Sequence, residues 1–409
     1  MEGEKEMKEK TGGVCSPEGF RAAGVEARIK YSGRLDVGLL AADAPCAAAA
    51  VFTTNRVAAA PVQYCRKSVD LKRVRAIVAN SGCANACTGE QGMADAGETA
   101  RIAAAELGVE PSQVFVASTG VIGRRMPMRR LEDGIKRAAK ALEATPRAGL
   151  DFEKAVMTTD TKPKEACATA RIGGKTVTIG ACAKGSGMIE PNMATMLAFI
   201  TTDAAVSPAM LRRALKLAVA ASFNRLVVDG DESTNDSAFV MASGAAGNAP
   251  IVRSGEDFRR FLEALTAVCV SLARQMAKDG EGATKFVTVR VKGAKSERDA
   301  ARAARAIARS PLAKTSWFGK DPNWGRVLAA AGYSGAQVDA MRTTVSYGGV
   351  WAFRRGEVAD EKQLAKLAGV LARDEFDITV DLGQGEGESE IYTCDLSVEY
   401  IHINADYTT

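Results

Sequence analysis

Lys184-Gly-Ser-Gly-Met-Ile-Glu-Pro-Asn-Met-Ala-Thr-Met-Leu-Ala-Phe-Ile-Thr-Thr-Asp203 is the most unusual stretch of the 409-residue chain. Its first half is a Gly/Pro/Asn loop. Its second half, from Thr195 to Thr202, is an apolar and β-branched run that predicts a buried strand. Such strands alternate with Ala/Leu-rich helical patterns along the whole chain, which sets the class as α with β rather than all-α or all-β. Working outward, strands are expected at Ala49–Thr53, Pro61–Tyr64, Arg75–Ala79 and Val114–Ala117. The segment 168–180 reads as a hairpin turning at Gly173-Gly174. Helices are expected over Met93–Leu107, Leu131–Glu143, Pro208–Ser222 and Gly255–Met276. Clean alternation over Lys285–Lys292, followed by a helix at Ser296–Ala308, places the start of a second domain near residue 285. Gly383–Gly387 is a connection between two late strands. Leu396–Ile403 alternates like a strand and carries His402.

Composition excludes several classes. Apolar residues make up 46% and charged residues 25%, the balance of a globular protein with room for two or three domains. The net charge of +5 is small for this length and no Lys/Arg block accompanies it, which argues against nucleic-acid binding. Asp43 breaks the longest Ala-rich stretch, leaving no apolar run of the roughly 20 residues a membrane helix needs. Met1–Lys10 alternates Glu and Lys; it resembles neither a secretory signal nor a transit peptide and reads as part of a charged flexible tail over 1–12. The 9 cysteines are spaced irregularly, as expected of reduced thiols in a cytoplasmic protein, and Cys83 and Cys87 have no second pair to complete a zinc site. No metal or cofactor motif is visible.

The chain has 1 histidine, His402, and no nucleophile motif stands beside it. Acid–base chemistry here would need another proton carrier, and an α-amino group, with a free pKa of about 7.7–8.0, is one candidate. Thr195 offers a route to one. Its hydroxyl can attack the carbonyl of Ala194 through a five-membered ring, exchanging amide for ester. Water then cleaves the ester and leaves Thr195 as a new terminus whose amine can activate its own hydroxyl. The ordinary reading, a threonine at a strand edge after a tight loop, stands beside this one.

The segment resembles the self-cleavage site of the ornithine acetyltransferase family, also called glutamate N-acetyltransferase, of the arginine-biosynthesis bifunctional type. Nine further stretches are similar to the family pattern, in order: Gly19–Val25, Val51–Val57, Asn80–Gly89, Ser118–Gly123, Met157–Thr161, Val228–Asp236, Asp279–Lys285, Gly319–Arg326 and Asn404–Thr409. Departures are Cys83, where Asn is frequent, and Cys15, where Thr is usual; Glu190 falls at a variable position. The resemblance implies an αββα sandwich of the amino-terminal-nucleophile-like type over 13–284, with a smaller α/β domain over 285–409 whose tail returns to the active site. It implies cleavage between Ala194 and Thr195, Thr195 as nucleophile, Thr119 and Gly120 as the oxyanion hole, and Thr158, Lys184, Thr195, Glu281, Asn404 and Thr409 as amino-acid-binding positions. From charge, Lys184 would meet a carboxylate and Glu281 an ammonium group.

The implied activity is transfer of acetyl from N2-acetylornithine to glutamate, without cofactor, by chains 1–194 and 195–409 paired as α2β2. Acetyl-CoA as a further donor substrate is the near alternative. An amino-terminal-nucleophile amidase or peptidase and a non-enzymatic scaffold are the more distant ones. Four features stay open between pocket and packing roles: the loops Asn80–Gly89 and Asp229–Asp236, the helix entry at Gly319–Arg326, and the basic pair Arg124 and Arg125. Asp229, Asp231 and Asp236 lack the glycine and final Glu of a calcium loop.

Overall fold

The structure, a computed structural model, describes residues 7–190 and 196–406. Its organising element is the strand Val37–Phe52, long enough to serve two sheets. The half up to Ala42 pairs with Phe20–Val25 and Val74–Asn80, and the latter with Val114–Ser118. The half from Ala47 pairs with Ser237–Ala242. Between them Asp43, Ala44 and Pro45 are exposed and the register shifts, so the chain bends where a proline has no N–H to offer a ladder.

The sheet that begins at Ala47 continues through Ser237–Ala242, Leu197–Thr202, Lys175–Lys184, Glu165–Ile172 and finally Met7–Lys10. Its two inserted strands, Leu197–Thr202 and Ser237–Ala242, run parallel to each other. Both are flanked by strands that precede residue 190, so the sheet interleaves the two parts of the chain.

The bend stacks the two sheets face to face. Alternate residues of the inserted strands point opposite ways. Leu197, Phe199, Phe239 and Met241 face the other sheet and join a core with Leu39, Ile77 and Phe115. Ala198, Ile200, Ala238 and Val240 face outward and pack beneath the helices Pro208–Ala221 and Glu256–Lys278. The helices Ala60–Ser68, Gly89–Leu107 and Met128–Lys140 cover the far side of the second sheet. The layers are therefore αββα, as expected. The rings of Phe199 and Phe239 stack at 5.8 Å; Phe115 lies 4.9 Å from Phe239 and Phe152, on the helix Pro146–Val156, 5.0 Å from Phe199.

A third sheet is built around Phe286–Ala294, which pairs parallel with Glu375–Asp381 and antiparallel with Gly387–Cys394. Leu226–Val227 joins its edge, and the helices Glu297–Arg309, Trp324–Gly332 and Glu361–Leu371 pack in its core. Glu190, fully buried, ties this unit to the loop that precedes residue 191: its carboxylate accepts from Arg305 at 2.7 Å and from Arg309.

Three expectations are corrected. Pro61–Tyr64 lies in the helix Ala60–Ser68, where Pro61 takes a first-turn position that needs no N–H partner. Leu396–Ile403 is not a strand: Val398–Asp406 is helical and His402 is exposed on it. Ser397 makes the entry, accepting the N–H of Glu399 at 3.2 Å while donating to the carbonyl of Gly282. Met7–Lys10 is not solvated tail but an edge strand paired with Cys167–Ala170, its exposed Lys8, Glu9 and Lys10 suited to an unpaired edge. Among the described residues no helix is long and apolar enough to cross a membrane.

The ring cluster generates a stability prediction. Phe239→Ala removes a fully buried ring from between the sheets and should cost about 3–5 kcal/mol in urea unfolding. Leu217→Ala, on an exposed position, should change stability by no more than about 0.5 kcal/mol.

Candidate active site

The strands Val114–Ser118 and Lys175–Lys184 both end at one edge of the sandwich, and Leu197–Thr202 and Ser237–Ala242 both begin there. A cleft opens between these ends. Thr119, Gly120, Thr158, Lys184, Glu281 and Asn404 all line it. Ala194, Thr195 and Thr409 lie outside the described residues. Met196, next in sequence after Thr195, lines the cleft, and its carbonyl accepts the N–H of Ser237 at 2.8 Å.

Lys184 closes the floor. It faces Leu197 across the ladder, and its ammonium donates to the hydroxyls of Thr119 and Thr158, each at 3.2 Å. Each hydroxyl that accepts from an ammonium keeps its own proton to donate elsewhere. Burial pushes the Lys184 pKa down, opposed by the nearby carboxylate of Asp160.

Asp160 also fixes the loop that carries Thr158. Its oxygens accept the N–H of Thr158 at 3.0 Å and of Gly185 at 2.7 Å, and it pairs with Lys164 at 2.7 Å. Burial alone would raise its pKa, but the ammoniums of Lys164 and Lys184 outweigh that and hold it at about 2. Lys164 in turn reaches Asp279 at 2.6 Å, just before the loop that carries Glu281. One buried acid–base–acid chain thus sets Thr158, Lys184 and Glu281 relative to one another.

Thr119 and Gly120 follow the strand Val114–Ser118. The N–H of Thr119 donates to Asn80 at 3.0 Å, and Cys83 bridges to both Thr119 and Val121. Gly120 has φ +125°, and a Cβ there would sit 2.5 Å from the backbone carbon of Gly82, so no other residue fits. Asn235 clamps the turn from the other side, donating to Ala84 at 2.7 Å and Ser118 at 2.8 Å. At the opposite end of the cleft, Asn404 donates to Glu281 at 2.7 Å. The exposed helix Val398–Asp406 thereby brings the end of the described chain to the site.

The open features now divide. Ala84 and Ser233–Asp236 line the cleft, whereas Asp229 accepts the N–H of Met188 at 2.6 Å and of Ile189 at 2.8 Å, fixing the loop. Asn323 caps the helix Trp324–Gly332 away from the cleft, and Arg124 and Arg125 are exposed. Sequence reasoning met Asp236 only as one of three aspartates that fail as a calcium loop and as the end of a loop left open between pocket and packing roles. It is buried, its Oδ2 is unpartnered, and burial pushes its pKa well up. The only signal in sequence was an acidic residue closing a polar loop just before a strand.

Comparison with known proteins adds the lineage. The ArgJ family model matches residues 21–409. This chain belongs to the ArgJ family. It is 54% identical to "Arginine biosynthesis bifunctional protein ArgJ" of Symbiobacterium thermophilum, covering 97% of this chain and 99% of that one. It is 45% identical to "Glutamate N-acetyltransferase" of Methanosarcina mazei, covering 98% and 100%. Ornithine acetyltransferase of Mycobacterium tuberculosis, solved with ornithine, is 41% identical and covers 46% of this chain and 100% of that one, with a TM-score of 0.44. The cleft carries threonines, one lysine and carboxylates, and among its described lining residues there is neither histidine nor cysteine.

Beneath the Asp160–Lys164 pair, Glu153 accepts the N–H of Lys164 while its other oxygen is unpartnered; burial raises its pKa to about 8. Folding therefore takes up a proton between pH ~4.5 and ~8, and its contribution to stability falls as pH rises through that window. Glu153→Gln should flatten this slope, gaining about 1–4 kcal/mol over the native chain at pH 8.5 relative to pH 4.5, read from urea midpoints across pH.

Proposed function

We propose that this cleft transfers the acetyl group of N2-acetylornithine to glutamate through an acetyl ester on Thr195, after cleavage between Ala194 and Thr195. The observation that carries the reading is the meeting of Thr119, Gly120, Thr158, Lys184, Glu281 and Asn404 in one cleft whose described wall includes Met196. The names of the family relatives support the same chemistry and pathway.

In the first half, Thr195 Oγ attacks the acetyl carbonyl and its proton passes to the terminal amine. The carbonyl oxygen becomes an oxyanion held by the Thr119 hydroxyl and the Gly120 N–H. The C–N bond then breaks, and the departing ornithine nitrogen takes up the proton. In the second half the α-amine of glutamate attacks the ester carbonyl, the C–O bond to Thr195 breaks, and the proton returns to Oγ. Lys184 is suited to a substrate carboxylate, and Glu281, held by Asn404, to the ammonium of ornithine; Thr158 and Thr409 complete the amino-acid contacts. No resident cofactor is required. "Bifunctional" in the relatives' names favours a second donor, acetyl-CoA, acting as substrate on the same threonine.

Cleavage would leave the residues of one site on two chains. The sheet interleaving supports their staying together, since Leu197–Thr202 and Ser237–Ala242 sit between Lys175–Lys184 and Ala47–Phe52. The α2β2 assembly and a cytoplasmic location complete the proposal.

Intact-mass measurement should find two chains from the native protein and one uncut chain of about 43.0 kDa, without transferase activity, from Thr195→Ala. An active Thr195→Ala variant overturns the nucleophile. Native protein should show ping-pong kinetics, with N-acetylglutamate rather than acetate accumulating; acetate would favour the amidase reading. Thr119→Val keeps the side-chain shape but removes the hydroxyl, and should lower kcat by about 10²–10³-fold.

A further inference from the structure

We propose that Ala84 and Ile122 form the acyl pocket of the cleft and that Ile122 restricts the transferred group to acetyl. The inference rests on Thr119 and Gly120 being the oxyanion donors. The reacting carbon in the tetrahedral state carries the oxyanion, the attacking oxygen, the amine and the methyl group. The cleft lining offers Thr119 and Gly120 to the oxyanion, and the polar Lys184, Thr158, Glu281 and Asn404 to the amino-acid body. The methyl group calls for an apolar wall close to the oxyanion donors.

Ala84 and Ile122 line the cleft, and both lie close to Gly120: Ile122 follows it by two residues, and Ala84 is hydrogen-bonded to the residue between them. Ala84 is held there by its N–H to Val121 at 3.0 Å and by Asn235, which donates to its carbonyl at 2.7 Å. Behind it lie Ala59 and Ala86, with Ile122 packed against them in a small apolar cluster separate from the main cores. The neighbouring polar groups are engaged among themselves: Thr234 donates to Asn235 at 2.6 Å, and Ser233 accepts the Asn235 N–H at 3.1 Å. A shallow wall of alanines closed by one branched side chain suits a methyl group and excludes a longer acyl chain. A single methylene in such a pocket is worth roughly 10–200-fold in specificity.

The test compares kcat/KM for N2-acetyl- and N2-propionyl-ornithine with glutamate as acceptor, using the full-length protein. Native enzyme should prefer acetyl, and Ile122→Ala should raise the propionyl-to-acetyl ratio by at least about 10-fold. Ile122→Val should raise it by a smaller factor, which supplies the readout if the alanine variant does not fold. Ile122→Phe should lower turnover of both donors and that of propionyl further. A ratio unchanged within about twofold in the active Ile122 variants overturns the pocket while leaving acetyl transfer intact. Native protein that transfers neither group overturns the underlying functional reading instead.

Discussion

The ammonium of Lys184 has been taken almost wholly out of water, and a charge so placed has to be hydrogen-bonded and balanced by its surroundings. Its hydrogen bonds go to Thr119 on one sheet and to Thr158 on the loop beside it. Its balance comes from Asp160, which the equally buried Lys164 keeps ionised, and Lys164 reaches on to Asp279. Through this one chain of alternating charge the position of each cleft residue depends on the others. Removal of one member would leave its neighbour charged and unpaired in the interior, so the network acts as a unit.

Much of this was legible in the sequence through the motifs that resemble the family, which supplied Thr119, Gly120, Thr158, Lys184, Glu281 and Asn404. Gly120 must be glycine to pass the backbone of Gly82, whereas Glu281 sits between two glycines, Lys184 ends a strand and Asn404 lies on a helix. The buried strands and amphipathic helices were readable from period alone. Short alternating runs were not. Pro61–Tyr64 and the segment around His402 carry too few residues to separate a strand from a helix, and the proline of one and Ser397 of the other decided for helix. The roles of Asp160, Asp236 and Glu153 stayed hidden for another reason. A carboxylate's role depends on whether it is buried and on which cation lies beside it, and neither is written in its neighbours along the chain.

The bend at Asp43–Pro45 was similarly hidden, although its residues are plain in the sequence. It turns one strand into the hinge between two layers, and so brings the end of Val114–Ser118 over that of Lys175–Lys184. The third sheet is tied to the same edge. Glu190 is clasped by Arg305 and Arg309, so the loop that begins at Lys184 is anchored to a helix contributed from more than a hundred residues later.

The interleaved order of the first sheet constrains how such a molecule can be made. A polypeptide ending near residue 190 would present two separate unzipped ladders, at Lys175–Lys184 and at Ala47–Phe52, with a two-strand gap between them. Its complement would offer a lone parallel pair with both sides bare. Each fragment would expose the kind of edge that recruits foreign strands. Continuous translation avoids this hazard, because the missing pair is delivered covalently into its slot, and any scission belongs after folding.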